Sequence, residues 1–158
     1  MKTALVTGGS RGIGKAVSTV LGKNYHVVVG YVTSEDKAAE VVSEIKESGG
    51  SASSIEVNIS SKESVDKAFA TIEKSYGSVD ILINNAGITK DNILPRMKEE
   101  EWIDVIQTNL TGSFYTSQRA IKQMMKNKWG RIVFISSIVG MSGNQGQANY
   151  AASKAGLI

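Results

Sequence analysis

The chain contains no cysteine, one histidine and one proline among its 158 residues. The absence of cysteine excludes disulfide bonds, thiolate catalysis and metal sites built on cysteine ligands. The single histidine, His26, argues against a histidine-based metal site and against a Ser-His-Asp triad. We therefore expect any catalysis to depend on other side chains and to need no metal ion.

Long apolar runs and a strong charge imbalance are also missing. No run approaches the ~20 apolar residues of a membrane-spanning helix, and the chain enters a strand-like pattern at Met1–Thr7. We therefore expect neither a signal or transit peptide nor a membrane partner, and we expect a cytoplasmic location. The net charge of +3 does not demand nucleic acid, although it would suit an acidic partner. With 41% apolar and 21% charged residues, the composition predicts one soluble globular domain over residues 1–158.

Apolar, β-branched runs alternate with helical patterns along the whole chain. The predicted strands are Ala4–Thr7, His26–Tyr31, Ala52–Asn58, Asp80–Asn84 and Arg131–Ser136. The predicted helices are one that opens at the glycine-rich segment after the first strand, then Ser34–Ser48, Ser61–Ser75 and a long one from about Glu99 to Lys126. Such alternation predicts an α/β fold with a doubly wound parallel sheet. We expect it to be Rossmann-like, with the strand order 3-2-1-4-5 of that fold.

Local signals refine these boundaries. Ser60 and Glu63 have the spacing of a capping box before the third helix. Gly77 stands where that helix should end. The polar stretch Gly140–Asn149 is predicted to be a loop inside the domain.

The segment Thr7–Gly14 carries four glycines, at positions 8, 9, 12 and 14, and it joins the first strand to the first helix. Glycines there allow a tight turn and a close approach to a pyrophosphate, which the helix N-terminus then faces. Two alternatives remain open. The segment could be a packing turn, or, with Lys15, the phosphate loop of a nucleoside triphosphatase. The second alternative is disfavoured because Ala16 stands where a magnesium-binding Ser or Thr belongs.

Three motifs together resemble the short-chain dehydrogenase/reductase family: the glycine pattern of residues 7–14, Asn84–Gly87 after the fourth strand, and Tyr150-x-x-x-Lys154. The sequences of residues 85–92 and 146–154 are similar to those of the β-ketoacyl carrier-protein reductase branch of bacterial-type fatty acid synthesis. Acetoacetyl-coenzyme A reductases share much of the sequence of these two segments. The resemblance therefore implies an NADP(H)-dependent reduction of a β-ketoacyl thioester held by acyl carrier protein. A short-chain ketone or alcohol oxidoreductase is the alternative.

Four residues are the predicted catalytic group. Tyr150 and Lys154 stand i, i+4 on a predicted helix, so they share a face, and a nearby ammonium favours the phenolate form of a tyrosine. A tyrosine so placed is a credible general acid, although Tyr and Lys at this spacing also occur on solvated helix faces. The resemblance implies the same role for Tyr150, a contact to the ribose hydroxyls for Lys154 and a hydrogen bond to the substrate carbonyl for Ser137. It also implies that Asn109 supports a water-mediated proton relay to the lysine.

The predicted cofactor contacts come from the ends of several strands. They are Thr7, Gly8, Ser10, Arg11, Gly12, Ile13, Gly14, Thr33, Ser34, Asn58, Asn85, Ala86 and Gly87, together with Tyr150 and Lys154. Arg11, Thr33 and Ser34 favour NADP(H) in the resembled branch. Glu35 and Asp36 leave an alternative open, because an acid near this position binds the ribose 2′-hydroxyl of NAD, yet both also suit the first turn of a helix.

Two further surfaces concern partners. A basic cluster, which comprises Arg119, Lys122, Lys126, Lys128 and Arg131, is either a solvated face or a docking surface for acyl carrier protein or coenzyme A phosphates. The long helix also carries Phe114, Ile121 and Met124, and the family packs this helix against a second copy, which implies a homo-oligomer, either a dimer or a tetramer.

The chain stops at Ile158, four residues past Lys154, whereas members of the resembled family continue. We therefore expect a piece of a longer reductase that lacks the C-terminal part of the family fold and has little activity alone. A catalytically silent dinucleotide-binding protein is the alternative from a different functional class.

Overall fold

The computed structural model describes all 158 residues. Five parallel strands form one sheet in the order β3-β2-β1-β4-β5, which confirms the predicted doubly wound sheet and its strand order. The strands are β1 (Thr3–Val6), β2 (His26–Tyr31), β3 (Ser51–Glu56), β4 (Val79–Asn84) and β5 (Arg131–Phe134). Because β1 pairs with both β2 and β4, the strand order reverses direction beside β1, and ligands of such sheets bind at this point.

Helices connect the strands. They are α1 (Gly12–Leu21), α2 (Glu35–Glu47), α3 (Lys62–Tyr76), α4 (Glu99–Ile106), α5 (Gly112–Asn127), α6 (Val139–Ser142) and α7 (Ala148–Ala155). A 3₁₀ turn at Leu94–Arg96 precedes α4, and a π-helical segment, Gln107–Thr111, joins α4 to α5 without a break. No helix combines the length and the apolar character that crossing a membrane requires.

The core has two layers because successive side chains of a strand point to opposite faces of the sheet. Leu5 and Leu82 face one side, where they pack with Phe69 of α3. Val6 faces the other side and belongs to the cluster that includes Val41 of α2. All five of these side chains are buried, so both faces of the central strands are covered.

The boundaries of α3 correct one local prediction and confirm another. The capping serine is Ser61, whose hydroxyl accepts the backbone N–H of Ser64 at 3.3 Å, so the capping box predicted at Ser60 is wrong by one residue. The Ser60 hydroxyl instead donates to Asn58 Oδ1 at 2.7 Å. Gly77 ends the helix with a φ of 83°, as predicted.

The stretch Gly140–Asn149, predicted to be a loop, contains most of α6 and the start of α7. The prediction is therefore wrong at both ends of the stretch. Helix α6 makes a single turn because Gly143 follows it with a φ of 71°, which ends the helix. A β-carbon on Gly140 would lie 2.8 Å from the backbone nitrogen of Ala155, so glycine lets α6 lie directly against α7.

Candidate active site

The ends of β1 and β4 are joined through side-chain hydrogen bonds. The hydroxyl of Thr7 donates to the backbone oxygen of Ile83 at 3.2 Å and accepts the backbone N–H groups of Asn85 and Ala86, each at 3.1 Å. In return, Asn85 Nδ2 donates to the backbone oxygens of Thr7 and Gly8, both at 3.0 Å. The glycine-rich segment after β1, residues 7–14, is therefore held in shape by residues that follow β4.

Two glycines of this segment are required by close contacts. A β-carbon on Gly8 would meet Ala86 Cα at 3.0 Å, and Gly8 has a φ of 62°. A β-carbon on Gly14 would lie 2.2 Å from the backbone oxygen of Gly8. Thr7 and Gly14 therefore shape the segment from behind, and neither lines the cleft that this segment borders.

A cleft of about 540 Å³ lies at the reversal point of the sheet, beyond the ends of β1 and β4. Most of the predicted cofactor residues line it: Gly8, Ser10, Arg11, Gly12, Ile13, Thr33, Ser34, Asn58, Asn85, Ala86 and Gly87. Sequence reasoning missed Tyr31, Val32, Ile59, Ile88 and Thr108. Tyr31 and Val32 directly precede Thr33, Ile59 follows Asn58, and Ile88 follows Gly87. Extending the predicted groups at the strand ends by one or two positions would therefore have included these four residues.

Glu35 and Asp36 do not line this cleft. Both are exposed in the first turn of α2, where negative charge suits the helix dipole. The structure therefore favours a helix-terminal role for these two acids over contact with a ribose.

A second cleft of about 570 Å³ adjoins the first and shares Arg11, Ile13, Asn85, Gly87 and Ile88 with it. Ser137, Tyr150 and Lys154 line this second cleft together. The structure thus brings three of the four predicted catalytic residues into one space that adjoins the first cleft.

Lys154 is buried beside Tyr150. Its Nζ lies 5.7 Å from the centroid of the Tyr150 ring and donates a hydrogen bond of 2.7 Å to the backbone oxygen of Ile135, at the end of β5. Burial lowers the pKa of the Lys154 ammonium below its ordinary value of 10.5. The neighbouring Ser136 hydroxyl donates to the backbone oxygen of Lys154 at 2.7 Å, which ties α7 to the end of β5.

Asn109 lines neither cleft and is fully buried. Its Oδ1 accepts the backbone N–H of Ile88 at 2.8 Å, while its Nδ2 donates to the backbone oxygen of Ile88 and to Ser153 Oγ, both at 3.0 Å. A β-carbon on Gly87 would lie 3.2 Å from Asn109 Oδ1 and 3.7 Å from Lys154 Nζ, so this glycine is close to both groups. Asn109 therefore contacts the residue before Lys154 and not the lysine itself.

The π-helical segment explains why Asn109 faces inward. Val105, Asn109 and Ser113 are all buried, and they follow one another at intervals of four residues. In an α-helix, each interval of four overshoots a full turn by about 40°. The wider π turn of Gln107–Thr111 absorbs this overshoot and keeps the three side chains in line.

The basic cluster loses one predicted member. The Arg119 guanidinium binds Glu73 of α3 through two hydrogen bonds, of 2.6 and 2.7 Å, and its side chain is only 19% exposed. It is therefore engaged in joining α5 to α3. The remaining members are exposed: Lys122, Lys126, Lys128 and Arg131.

The apolar surface of α5 also differs from the prediction. Met124 is buried in the core, because Gly130 leaves room for it: a β-carbon there would lie 2.4 Å from Met124 Sδ. Phe114 and Ile121 are exposed, as is Met125. No group of three or more His, Asp and Glu side chains is arranged to hold a metal ion.

Comparisons with known proteins agree with this architecture. The family model described as "short chain dehydrogenase" matches residues 2–158. The chain is 50% identical over 158 residues to a protein of Staphylococcus epidermidis named 3-oxoacyl-[acyl-carrier-protein] reductase FabG, with 99% of this chain and 65% of the relative covered. Proteins of the same name from Staphylococcus aureus and Haemophilus influenzae are 49% and 46% identical, with 99% of this chain and 64% of each relative covered. The chain thus spans slightly less than two thirds of the length of these relatives.

Proposed function

Because the chain belongs to the short-chain dehydrogenase family, we propose that it serves an NADP(H)-dependent reduction of a β-ketoacyl thioester, held by acyl carrier protein, to the β-hydroxyacyl thioester. The observation that carries this proposal is the meeting of Ser137, Tyr150 and Lys154 in a cleft that opens onto the glycine-rich segment. The names of the relatives support the substrate class, since each is called a 3-oxoacyl-[acyl-carrier-protein] reductase.

The first cleft fits a dinucleotide at its phosphate end. Helix α1 begins there, and the first N–H groups of a helix have no partner within it. Gly12 lines the cleft with a φ of 53°, and no atom lies within 4 Å of where its β-carbon would be, so a pyrophosphate has room to approach. Arg11, Thr33 and Ser34 lie along the same cleft, where a cation and two hydroxyls suit a 2′-phosphate. These residues form the proposed NADP(H) site, with Lys154 reaching the ribose hydroxyls.

Three side chains of the second cleft have proposed roles in the reaction. When bound, the nicotinamide supplies a hydride to the β-carbonyl carbon. The Tyr150 hydroxyl gives its proton to the carbonyl oxygen as negative charge develops there. Ser137 donates a hydrogen bond to the same oxygen. The Lys154 ammonium, 5.7 Å from the Tyr150 ring centroid, places a positive charge beside this side chain as it gives up the proton.

The proposed partners follow from the surface of α5. The exposed basic residues Lys122, Lys126, Lys128 and Arg131 suit an acidic carrier protein, and the phosphates of coenzyme A are the alternative. Phe114, Ile121 and Met125 form an exposed apolar stripe at spacings of seven and four residues along the helix. We assign this stripe to contact with a second copy of the chain.

A spectrophotometric assay tests the proposed reaction. NADPH oxidation is followed with acetoacetyl thioesters of carrier protein and of coenzyme A side by side. Tyr150→Phe should lower turnover by roughly 10²-fold or more, while NADPH binding is retained. Tyr115→Phe, in which a tyrosine of α5 loses the same hydroxyl, is the matched control and should keep full turnover. Normal turnover by Tyr150→Phe would exclude this residue as the proton donor. NADPH binding with no turnover by the unmodified chain would instead favour the silent dinucleotide-binding alternative.

Cofactor choice is tested at Arg11. Arg11→Ala should weaken NADPH binding by roughly 1.5–3 kcal/mol, the scale of a hydrogen bond to a charged group, and leave NADH binding nearly unchanged. The exposed Arg96→Ala is the control and should affect neither cofactor. Equal losses for NADPH and NADH would show that Arg11 does not read the 2′-phosphate.

A further inference from the structure

Asn149 stands out among the buried polar residues outside both clefts. It lies in the first turn of α7, directly before Tyr150, and its exposed fraction is 0%. It lines neither cleft, so it has no direct contact with a ligand bound there. Its role must therefore be sought in what its carboxamide holds together.

The carboxamide joins three segments of backbone. Asn149 Nδ2 donates to the backbone oxygen of Lys90 and to that of Glu101, both at 2.9 Å. Its Oδ1 accepts the backbone N–H of Tyr150 at 2.8 Å. Lys90 belongs to the loop after β4, and Glu101 to the first turn of α4. Both donor hydrogens of the side chain are thus used, and they link the helix that carries Tyr150 to two separate elements.

Few side chains can make this set of contacts. The site requires two N–H donors and one acceptor on a short side chain, and among residues of this size only asparagine offers both. Aspartate could accept the Tyr150 N–H but has no hydrogen to donate to Lys90 or Glu101. Two backbone oxygens would then face a carboxylate without a donor in a buried place, which is unfavourable.

The surrounding contacts point to the same junction. At the surface, Gln147 Nε2 donates to the two carboxylate oxygens of Asp91 at 3.2 and 3.1 Å, and the Asn92 N–H donates to the backbone oxygen of Gly146 at 2.9 Å. These bonds join the loop after β4 to the residues that precede α7, and those between Gln147 and Asp91 are exposed, where water competes for them. Asn149 provides the buried part of the junction, and its partner Lys90 directly follows Thr89, which lines the second cleft.

We propose that Asn149 is a positioning residue that holds the first turn of α7 against the loop after β4 and thereby sets the place of the Tyr150 hydroxyl in the second cleft. The proposal rests on the role proposed above for Tyr150 as proton donor. It adds that this role depends on a neighbour that touches neither the substrate nor the cofactor.

The test uses Asn149→Asp and Asn149→Ser in the full chain, with Asn24→Asp as the matched control in the exposed turn before β2. Aspartate is favourable in the first turn of a helix, so a role limited to starting α7 would be kept in Asn149→Asp. The first readout is the NMR signal of the tyrosine Cζ carbon, which reports the surroundings of each phenol and needs no turnover. The chain has 5 tyrosines, and Tyr150→Phe identifies the signal of Tyr150.

We expect both Asn149 variants to shift or broaden the Tyr150 signal while the other tyrosine signals stay in place. Asn24→Asp should leave every signal unchanged. A Tyr150 signal that keeps its position in folded Asn149→Asp would overturn the proposal. If both variants fail to fold, hydrogen exchange of side-chain amides in the unmodified chain provides the test. The Asn149 side-chain amide should exchange its hydrogens with water far more slowly than that of Asn24, and equal rates would overturn the proposal.

Turnover gives the second readout. Asn149→Asp should lower kcat by roughly 10- to 100-fold, the range expected for a misplaced catalytic group, while the Kd for NADPH stays within about twofold. A fall in stability with unchanged kcat would show a purely structural role and would also overturn the proposal. If the unmodified chain shows no turnover, the proposed function fails in this assay, whereas the Tyr150 signal still tests Asn149.

Discussion

The substitution Gly14→Ala tests whether the shape of the glycine-rich segment depends on the missing side chain. The new methyl group would lie 2.2 Å from the backbone oxygen of Gly8 and 2.6 Å from Asn85 Nδ2. A backbone oxygen cannot move out of the way by changing a rotamer. The substitution must therefore displace the segment, the start of α1, or both.

The cost follows from three contributions. Overpacking against fixed atoms costs about 1–3 kcal/mol. The displaced Asn85 would lose its bonds to Thr7 and Gly8, at about 1 kcal/mol each. Alanine is favoured over glycine within a helix by about 1 kcal/mol, which offsets part of the loss. We expect the free energy of unfolding to fall by about 3 kcal/mol.

Urea denaturation and NADPH titration measure both consequences. The control is Gly49→Ala, where the φ of 83° makes alanine strained but no atom lies within 4 Å of the new methyl group. It should cost only about 1–2 kcal/mol and leave NADPH binding intact. Gly14→Ala should weaken NADPH binding by about tenfold or more, the equivalent of one lost charge-assisted hydrogen bond. Equal stability losses for the two variants, with NADPH binding retained in both, would refute the reasoning.

Three other predictions concern the scaffold. Alanine substitution of Arg119, of Glu73 and of both should give a coupling energy of about 1–2 kcal/mol in a double-mutant cycle by urea denaturation, and a coupling near zero would contradict the ion pair between α3 and α5. Lys128 ends α5 with a φ of 53°, so Lys128→Gly should stabilise the chain by about 1 kcal/mol, whereas any loss of stability would show that the lysine side chain is needed there. Burial and, after it, the positive charge of Lys46 lower the pKa of His26 below its ordinary value of 6.5. The contribution of neutral His26 to the free energy of unfolding should therefore be complete above about pH 6.5 and be lost as the pH drops through the lowered pKa. His26→Asn should flatten this pH dependence, and an unchanged slope would contradict the prediction.

The sheet could be predicted from the sequence because its signals are local and repeated. Each strand is a short apolar run, and each run is followed by a helical pattern, so the rules of parallel sheets predict a doubly wound sheet. The alternation alone does not choose among the strand orders of such sheets, and the order 3-2-1-4-5 was assigned from the dinucleotide-binding fold. Tyr150 and Lys154 could be placed on one face because four residues separate them along one helix. Their shared cleft with Ser137 follows from the topology, since β5 ends beside β4.

The errors have a common cause in contacts between distant residues. The residues around Arg119 in the sequence do not indicate that it pairs with Glu73, which lies 46 residues away, so the arginine was assigned to the basic cluster. Met124 has the spacing of the other apolar residues of α5, and that spacing alone does not tell a core position from an exposed one. Ser60 and Ser61 are both capping residues by type, and only the path of the backbone chooses between them. Asn149 was missed for the same reason, because its partners lie 59 and 48 residues earlier in the chain.

The joining of β1 to β4 also has a consequence for the order of folding. The glycine-rich segment is short and local in sequence, yet the bonds from Asn85 that fix it span 77 and 78 residues. Contacts of such long range form slowly, because a large loop must close before they contribute any stability. During synthesis, the first strand, loop and helix therefore emerge long before the segment can acquire its binding shape. A nascent chain that ends before β4 has no dinucleotide cleft to offer, so the cofactor cannot assist the early steps of folding and can only stabilise the sheet once its centre is complete.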